Sequence, residues 1–192
     1  MKKIFLNIYY FFNILFKKNK YKKISYSYGS VDLLLEHIFK NQSHGFYIDV
    51  GCQHPVMNNN TYLLYKKGWN GINIDLDPKN IRLFNLARPN EINICKCVSS
   101  DNSKKDLFFF HSGSPINSLE KKTTKDKSNF SLKKIETFTL NSILEDYKIL
   151  NIDYFNLDVE GHELDVLKNF NIQKYKPKVI SVEFIDFQMN KL

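Results

Sequence analysis

Residues 46–77 read FYIDVGCQHPVMNNNTYLLYKKGWNGINIDLD, and this stretch decides the fold. Phe46–Val50 is an apolar run with one acid, Asp49, that stops at Gly51, the pattern of a buried parallel strand entering a tight turn. Asn58, Asn59 and Asn60 offer caps for a short helix that Gly68 closes. A second apolar run, Gly71–Leu76, carries Asp75 and is followed by Asp77. Strand, turn, helix, strand and acid follow in the order of a nucleotide-binding unit. There the first turn meets the ligand, and a carboxylate about 20 residues on holds ribose hydroxyls. Asp75 stands close to that offset from Gly51.

The rhythm extends in both directions. Upstream, Ser30 reads as an N-cap for a helix ending near Asn41, with Val31, Leu34, Leu35, Ile38 and Phe39 on one face. Downstream, Pro78 suits a first helical position, the helix runs to about Arg88, and Ile92–Val98 makes a third strand. This alternation predicts an α/β sheet of mostly parallel order with helices on both faces. Lys104–His111 reads as a strand outside the alternation, and Ser112–Lys134 is rich in Ser, Thr and Lys. Residues 104–134 are therefore read as a lid-like insertion or a solvated one. Its eight lysines against Asp106, Glu120 and Asp126 would suit an anionic substrate. Glu136–Thr139 is a short strand, and Leu140, Ile143, Leu144 and Tyr147 share a helix face. Tyr154–Gly161 is a strand ending in acids, a helix starts near His162, and Val179–Phe184 is the last strand.

A length of 192 residues fits one domain with a real core, 29–192, preceded by a basic aromatic segment, 1–28. That segment holds seven of the 28 basic residues and no acid, which leaves 21 basic against 20 acidic residues in the rest. A nearly neutral body argues against nucleic acid as a partner. Within the segment, residues 4–16 are apolar and aromatic between lysines, too short to span a bilayer and without a cleavage site. Residues 1–23 are read as a surface-lying membrane anchor or as a helix packed on the domain or a partner subunit. Cys52, Cys95 and Cys97 suit neither a disulfide framework nor a zinc site, so a reducing cytoplasm is the default expectation; peripheral contact at the inner face of the membrane would come through residues 1–23. Cys95 and Cys97, two apart on one strand, are expected to share a face as small buried hydrophobes.

In a parallel sheet the ligand gathers at the carboxyl ends of the strands, here residues 49–54, Asp75, Asp77, 98–101 and 158–163. GxGxxG and GxxxxGK[ST] are both absent, so a pyrophosphate is disfavoured and a neutral or cationic nucleoside such as S-adenosylmethionine fits better. The runs FYIDVGCQHP, NNNTYLLYKKGWNGINIDLDP, IETFTLNSIL, YFNLDVEGHELDVLKNF and PKVISVEF resemble the FkbM family of S-adenosylmethionine-dependent methyltransferases over about Gly45–Phe184. The resemblance implies the Rossmann-like class I methyltransferase fold and O-methylation of sugar or polyketide-like hydroxyls, here in surface polysaccharide biosynthesis.

Carried over residue by residue, it places Asp49 and Gly51 on the methionine side of the cofactor, Asp75 on the ribose, and Ser99 and Asp101 near the adenine. Cys52 and Asn60 complete the cofactor set. Asp158, Glu160, His162 and Glu163 face the methyl group and the acceptor, with Ser114 and Asn117 of the insertion as further substrate contacts. His162 is the expected general base, ahead of His54 and His111. Asp158, Glu160 and Glu163 are an oxygen set of the kind Mg²⁺ prefers, but capping and cofactor positioning are the preferred roles and no metal is expected. The chain departs from the family pattern in its first loop, Cys52–Pro55, and in ending at Leu192, before the family's terminal hairpin. The second expectation is therefore a truncated, non-catalytic protein that binds a membrane or a partner.

Overall fold

The computed structural model describes residues 2–21, 23–121 and 130–183. In chain order the first half comprises α1 (Lys2–Tyr21), α2 (Val31–Ile38), β1 (Phe46–Val50), α3 (Tyr62–Lys66), β2 (Asn70–Asp75), α4 (Pro78–Ala87), β3 (Ile92–Cys95) and β4 (Cys97–Ser99). The second half comprises β5 (Lys104–Phe109), β6 (Ser131–Thr139), α5 (Leu140–Asp146), β7 (Tyr154–Leu157), α6 (Glu163–Asn169), α7 (Ile172–Tyr175) and β8 (Val179–Val182).

The core is a five-stranded, all-parallel sheet in the order β3-β2-β1-β7-β8. Both faces are covered, because alternate residues of each strand point to opposite sides and both sets are buried. Ile48, Val50, Ile72, Ile74, Phe155 and Leu157 pack with Leu140, Ile143 and Leu144 of α5 and Val166 of α6. On the other face Tyr47 and Tyr154 meet Leu35 and Phe39, Leu64 of α3, and Trp69. Of the expected apolar face of α2, Leu34 and Ile38 are exposed. Ser30 does not cap α2: it sits in the left-handed region at φ 61°, and the Ser27 hydroxyl accepts from the Val31 N–H instead. Pro78 takes the first helical position of α4, as its sequence suggests, and Asp77 before it caps the helix by accepting from the Lys79 N–H.

The expected third strand, Ile92–Val98, is two strands broken at Lys96. The break lets β4 leave the main sheet and pair with β6, which is antiparallel to β5 in a second sheet of order β4-β6-β5. In consequence Cys95 is exposed and Cys97 buried, so the two do not share a face. The strand expected over Lys104–His111 is β5, and of the segment read as irregular only Ser131–Lys134 joins the hairpin, because β6 begins at Ser131 rather than near Glu136. Residues 122–129, with three of the insertion's lysines, and residues 184–192, where a terminal hairpin was in question, lie outside the described residues.

The chain runs from β1 to β2 on one side and later fills the other side with β7, so strand order reverses between β1 and β7. A crevice for a ligand is expected at their carboxyl ends. Gly51 sits there with φ 79°, and a Cβ on it would come within 1.6 Å of the Asp158 carbonyl oxygen. Only glycine allows the two strand ends to meet this closely.

Candidate functional site

A cavity opens at this crevice. Its floor is the ends of β1, β2 and β7, with Val50, Gly51, Ile74, Asp75 and Asp158; Lys96, Cys97 and Val98 form one side. The wall opposite is the segment after β5, through Ser114, Pro115, Asn117, Ser118 and Leu119. Asp77 anchors that wall, its carboxylate accepting from the Ser112 hydroxyl at 3.1 Å and the Gly113 N–H at 2.6 Å. The Asn117 amide ties the segment to itself by accepting from the Phe110 N–H and donating to the His111 carbonyl.

Asp75 is 8 % exposed at the tip of β2 and accepts from the N–H groups of Gln53 and Asp77 and from the Asn80 amide. Burial outweighs these bonds and pushes its carboxyl up to about 6. Asp158 is pushed up to about 8, by burial first and then by the Glu183 carboxyl beside it, with Asp49 and Glu163 adding like charge. Among the described lining residues, four carboxylates (Asp75, Asp77, Asp158 and Glu160) face one cationic side chain, Lys96.

His162 lines the cavity just before α6 and is 5 % exposed. Its Nδ1 lies 2.8 Å from Glu120 Oε1 and 3.5 Å from Asp165 Oδ2, and its Nε2 lies 2.9 Å from the Ser99 hydroxyl. A carboxylate oxygen accepts, so Nδ1–H donates to Glu120, and in that tautomer of the neutral ring Nε2 carries the lone pair. Glu160 is held at φ 60°, in the left-handed region, with its carbonyl accepting from the Ser118 hydroxyl. Gln53, on the other lip, is at φ 49°. Non-glycine residues in this region cost about 1–3 kcal/mol each and concentrate at functional sites.

Gly51, Asp75, Ser114, Asn117, Asp158, Glu160 and His162 thus meet in one cavity, and other sequence-predicted site residues do not line it. Asp49 is buried on the opposite face of β1, where Asn59, Thr61 and Asn156 donate to its carboxylate. Cys52 packs against Ile81 and Phe84 of α4. Asn60 bonds Asn156 and Ser27. Ser99 is spent on His162, and Asp101 is exposed and paired with Lys105 at 3.2 Å. The Glu163 carboxylate accepts from the N–H groups of Val159 and Gly161, shaping the turn rather than facing the cavity. His54 caps its own loop, Nδ1 accepting from the Val56 and Met57 N–H groups, and His111 is exposed. Gln53, Asn80, Lys96, Ser118 and Glu120 are additional residues that the structure brings to the site.

Two groups bring three ligand-type side chains within 4.8 Å of one another: Glu120, His162 and Asp165, and Asp158, Glu163 and Glu183. In each, protein hydrogen bonds already engage part of the donor set. The cavity chemistry suits a ligand with positive charge and hydroxyls, which Asp75 can accept, and opposes a pyrophosphate.

Comparison with curated proteins and with solved structures finds no match. Comparison with protein families matches residues 49–191 to the methyltransferase FkbM domain, and that span contains every side of the cavity. A parallel sheet whose order reverses at the cavity and a family match over most of the chain agree: this protein belongs to the FkbM methyltransferase family and is a methyltransferase.

Proposed function

We propose that the protein is an S-adenosylmethionine-dependent O-methyltransferase acting on a sugar hydroxyl, in surface polysaccharide biosynthesis. The observation that carries the cofactor is the carboxylate-rich cavity, with Asp75 buried at the tip of β2. When bound, S-adenosylmethionine supplies a methyl group activated on a sulfonium. Asp75 would hold its ribose hydroxyls, and Gly51 and Asp158 would border its methionine part. The sugar class of the acceptor rests on the sequence resemblance.

An acceptor hydroxyl must lose its proton as it attacks, and alignment supplies much of the remaining rate. His162 is the base in this reading. Glu120 accepts the hydrogen bond from Nδ1–H and so fixes the tautomer, which leaves Nε2 as the proton acceptor, held by Ser99 until the acceptor hydroxyl competes for it. Ser114, which lines the cavity on the wall segment, is an acceptor contact in this reading.

Calorimetric titration of the full chain with S-adenosylmethionine should show micromolar binding, weakened about tenfold or more by Asp75→Asn, because a hydrogen bond to a charged group is removed. His162→Ala should lower turnover about a hundredfold or more and leave cofactor affinity unchanged. Unchanged turnover would remove the base assignment. A folded protein that does not bind S-adenosylmethionine would replace this reading with a non-catalytic interaction protein.

A further inference from the structure

Among the described residues nothing covers the apolar side chains of helix α1. Each of its eleven large apolar side chains between Ile4 and Phe16 is 39–70 % exposed. Among the described residues no hydrogen bond or ion pair joins α1 to the domain; the nearest tie is Lys23 to Glu36, beyond the helix. At 3.6 residues per turn, Ile4, Phe5, Ile8, Phe11, Phe12 and Leu15 fall within an arc of roughly 120°. Lys3, Tyr10, Asn13 and Lys17 point the other way, with Leu6 among them.

We propose that α1 is an in-plane anchor that holds the protein on an anionic lipid surface. The apolar arc would enter the acyl boundary, the tyrosines would sit at headgroup level, and the lysines would meet lipid phosphate. Among the described residues no helix is long and apolar enough to cross a membrane. A second copy of the chain is the other possible cover, since positions 4, 8, 11 and 15 have heptad spacing. It is disfavoured because residues 1–28 carry seven lysines and no acid, so paired helices would bring like charges together, whereas an anionic bilayer complements them. The inference does not depend on the methyltransferase reading.

The test is co-sedimentation of the full-length protein with vesicles of phosphatidylcholine alone and with about one third phosphatidylglycerol. Binding should be strong to the mixed vesicles, weak to the neutral ones, and reduced by salt. Phe5→Asp with Phe12→Asp should weaken partitioning about tenfold or more by spoiling the buried face. Lys3→Glu with Lys17→Glu keeps that face and should remove the preference for anionic lipid. Both variants should keep the wild-type circular dichroism spectrum, since α1 lies outside the packed core. The proposal is overturned if the folded wild type stays in the supernatant with mixed vesicles, if the Phe variant binds as well as wild type, or if sedimentation shows an α1-dependent dimer that does not bind lipid.

Discussion

Arg88 is fully buried, and its guanidinium ties the first loop to the sheet. It donates to the Pro55 carbonyl, Asn59 Oδ1, Thr61 Oγ1 and the Tyr47 hydroxyl, with the Glu91 carboxylate 3.7 Å away. Around it runs a polar row across the whole sheet, Asn93, Asn73, Asp49, Asn156 and Ser181, one residue per strand in register. This row explains why Asp49 does not reach the cavity: it is the acid at the centre of a buried network, and burial raises its carboxyl despite the donors around it. Arg88→Ala would leave the Pro55 carbonyl without its donor and strip the buried Glu91 carboxylate of its cation, with only the Tyr47 hydroxyl and the Asn73 amide still donating to it. Breaking such a pair costs about 3–5 kcal/mol, so the melting temperature should fall by about 10 °C; a change within about 2 °C would mean that the network does not hold the loop. Arg88 reads in the sequence only as a helix end, because the acceptors of its hydrogen bonds lie 27 to 41 residues away in the chain. Glu120, 42 residues from His162, escapes sequence reading for the same reason.

Strands and helices are more legible than the joints between them. The five core strands follow from apolar runs, and Leu140, Ile143 and Leu144 are buried as their spacing requires, while Tyr147, just past the end of α5, is exposed. The break at Lys96 is not legible, because INICKCVS is one apolar run whether or not it changes sheets. The caps at Ser30 and Asn60 fail for a similar reason, since each side chain takes a partner or a backbone conformation set by tertiary contact. Gly51 is the joint that sequence and structure both single out, though for different reasons. Read as a turn glycine, it also lets β1 and β7 close together beneath the cavity. Gly51→Ala adds a methyl group where the Asp158 carbonyl stands and asks alanine to hold φ 79°. A loss of about 3 kcal/mol or more in urea unfolding is expected. An alanine variant of native stability would show that the strand ends can move apart without cost.

At the scale of the whole molecule, parallel strands place all their carboxyl ends on one edge, and acids that cap or precede the following helices collect there. The cost is like charge in a partly buried space. Asp75 and Asp158 both hold protons more tightly in the folded protein, at about 6 and about 8, than an unfolded aspartate does at about 3.9. Folding therefore takes up protons between these values. Their stabilising contribution is complete below pH ~4 and is lost as pH rises, through about 6 for Asp75 and about 8 for Asp158. Asp153, lowered despite burial by Lys178 and its other hydrogen bonds, works the other way and loses stability only toward strong acid. The melting temperature should accordingly be highest on the acid side of neutrality and fall toward alkaline pH. Affinity for a ligand held by Asp75 has the opposite slope, rising through about pH 6 as the carboxylate ionises. Asp158→Asn isolates the upper part of the stability curve, because asparagine keeps the shape and removes the charge beside Glu183. Melting temperatures of the two proteins should converge near pH ~4, where the carboxyl is protonated in the folded and the unfolded chain alike, and diverge by pH ~8.5, with the variant the more stable there. Parallel curves would show that Asp158 is not held protonated by its surroundings, and that the acids at this edge are relieved by solvent instead.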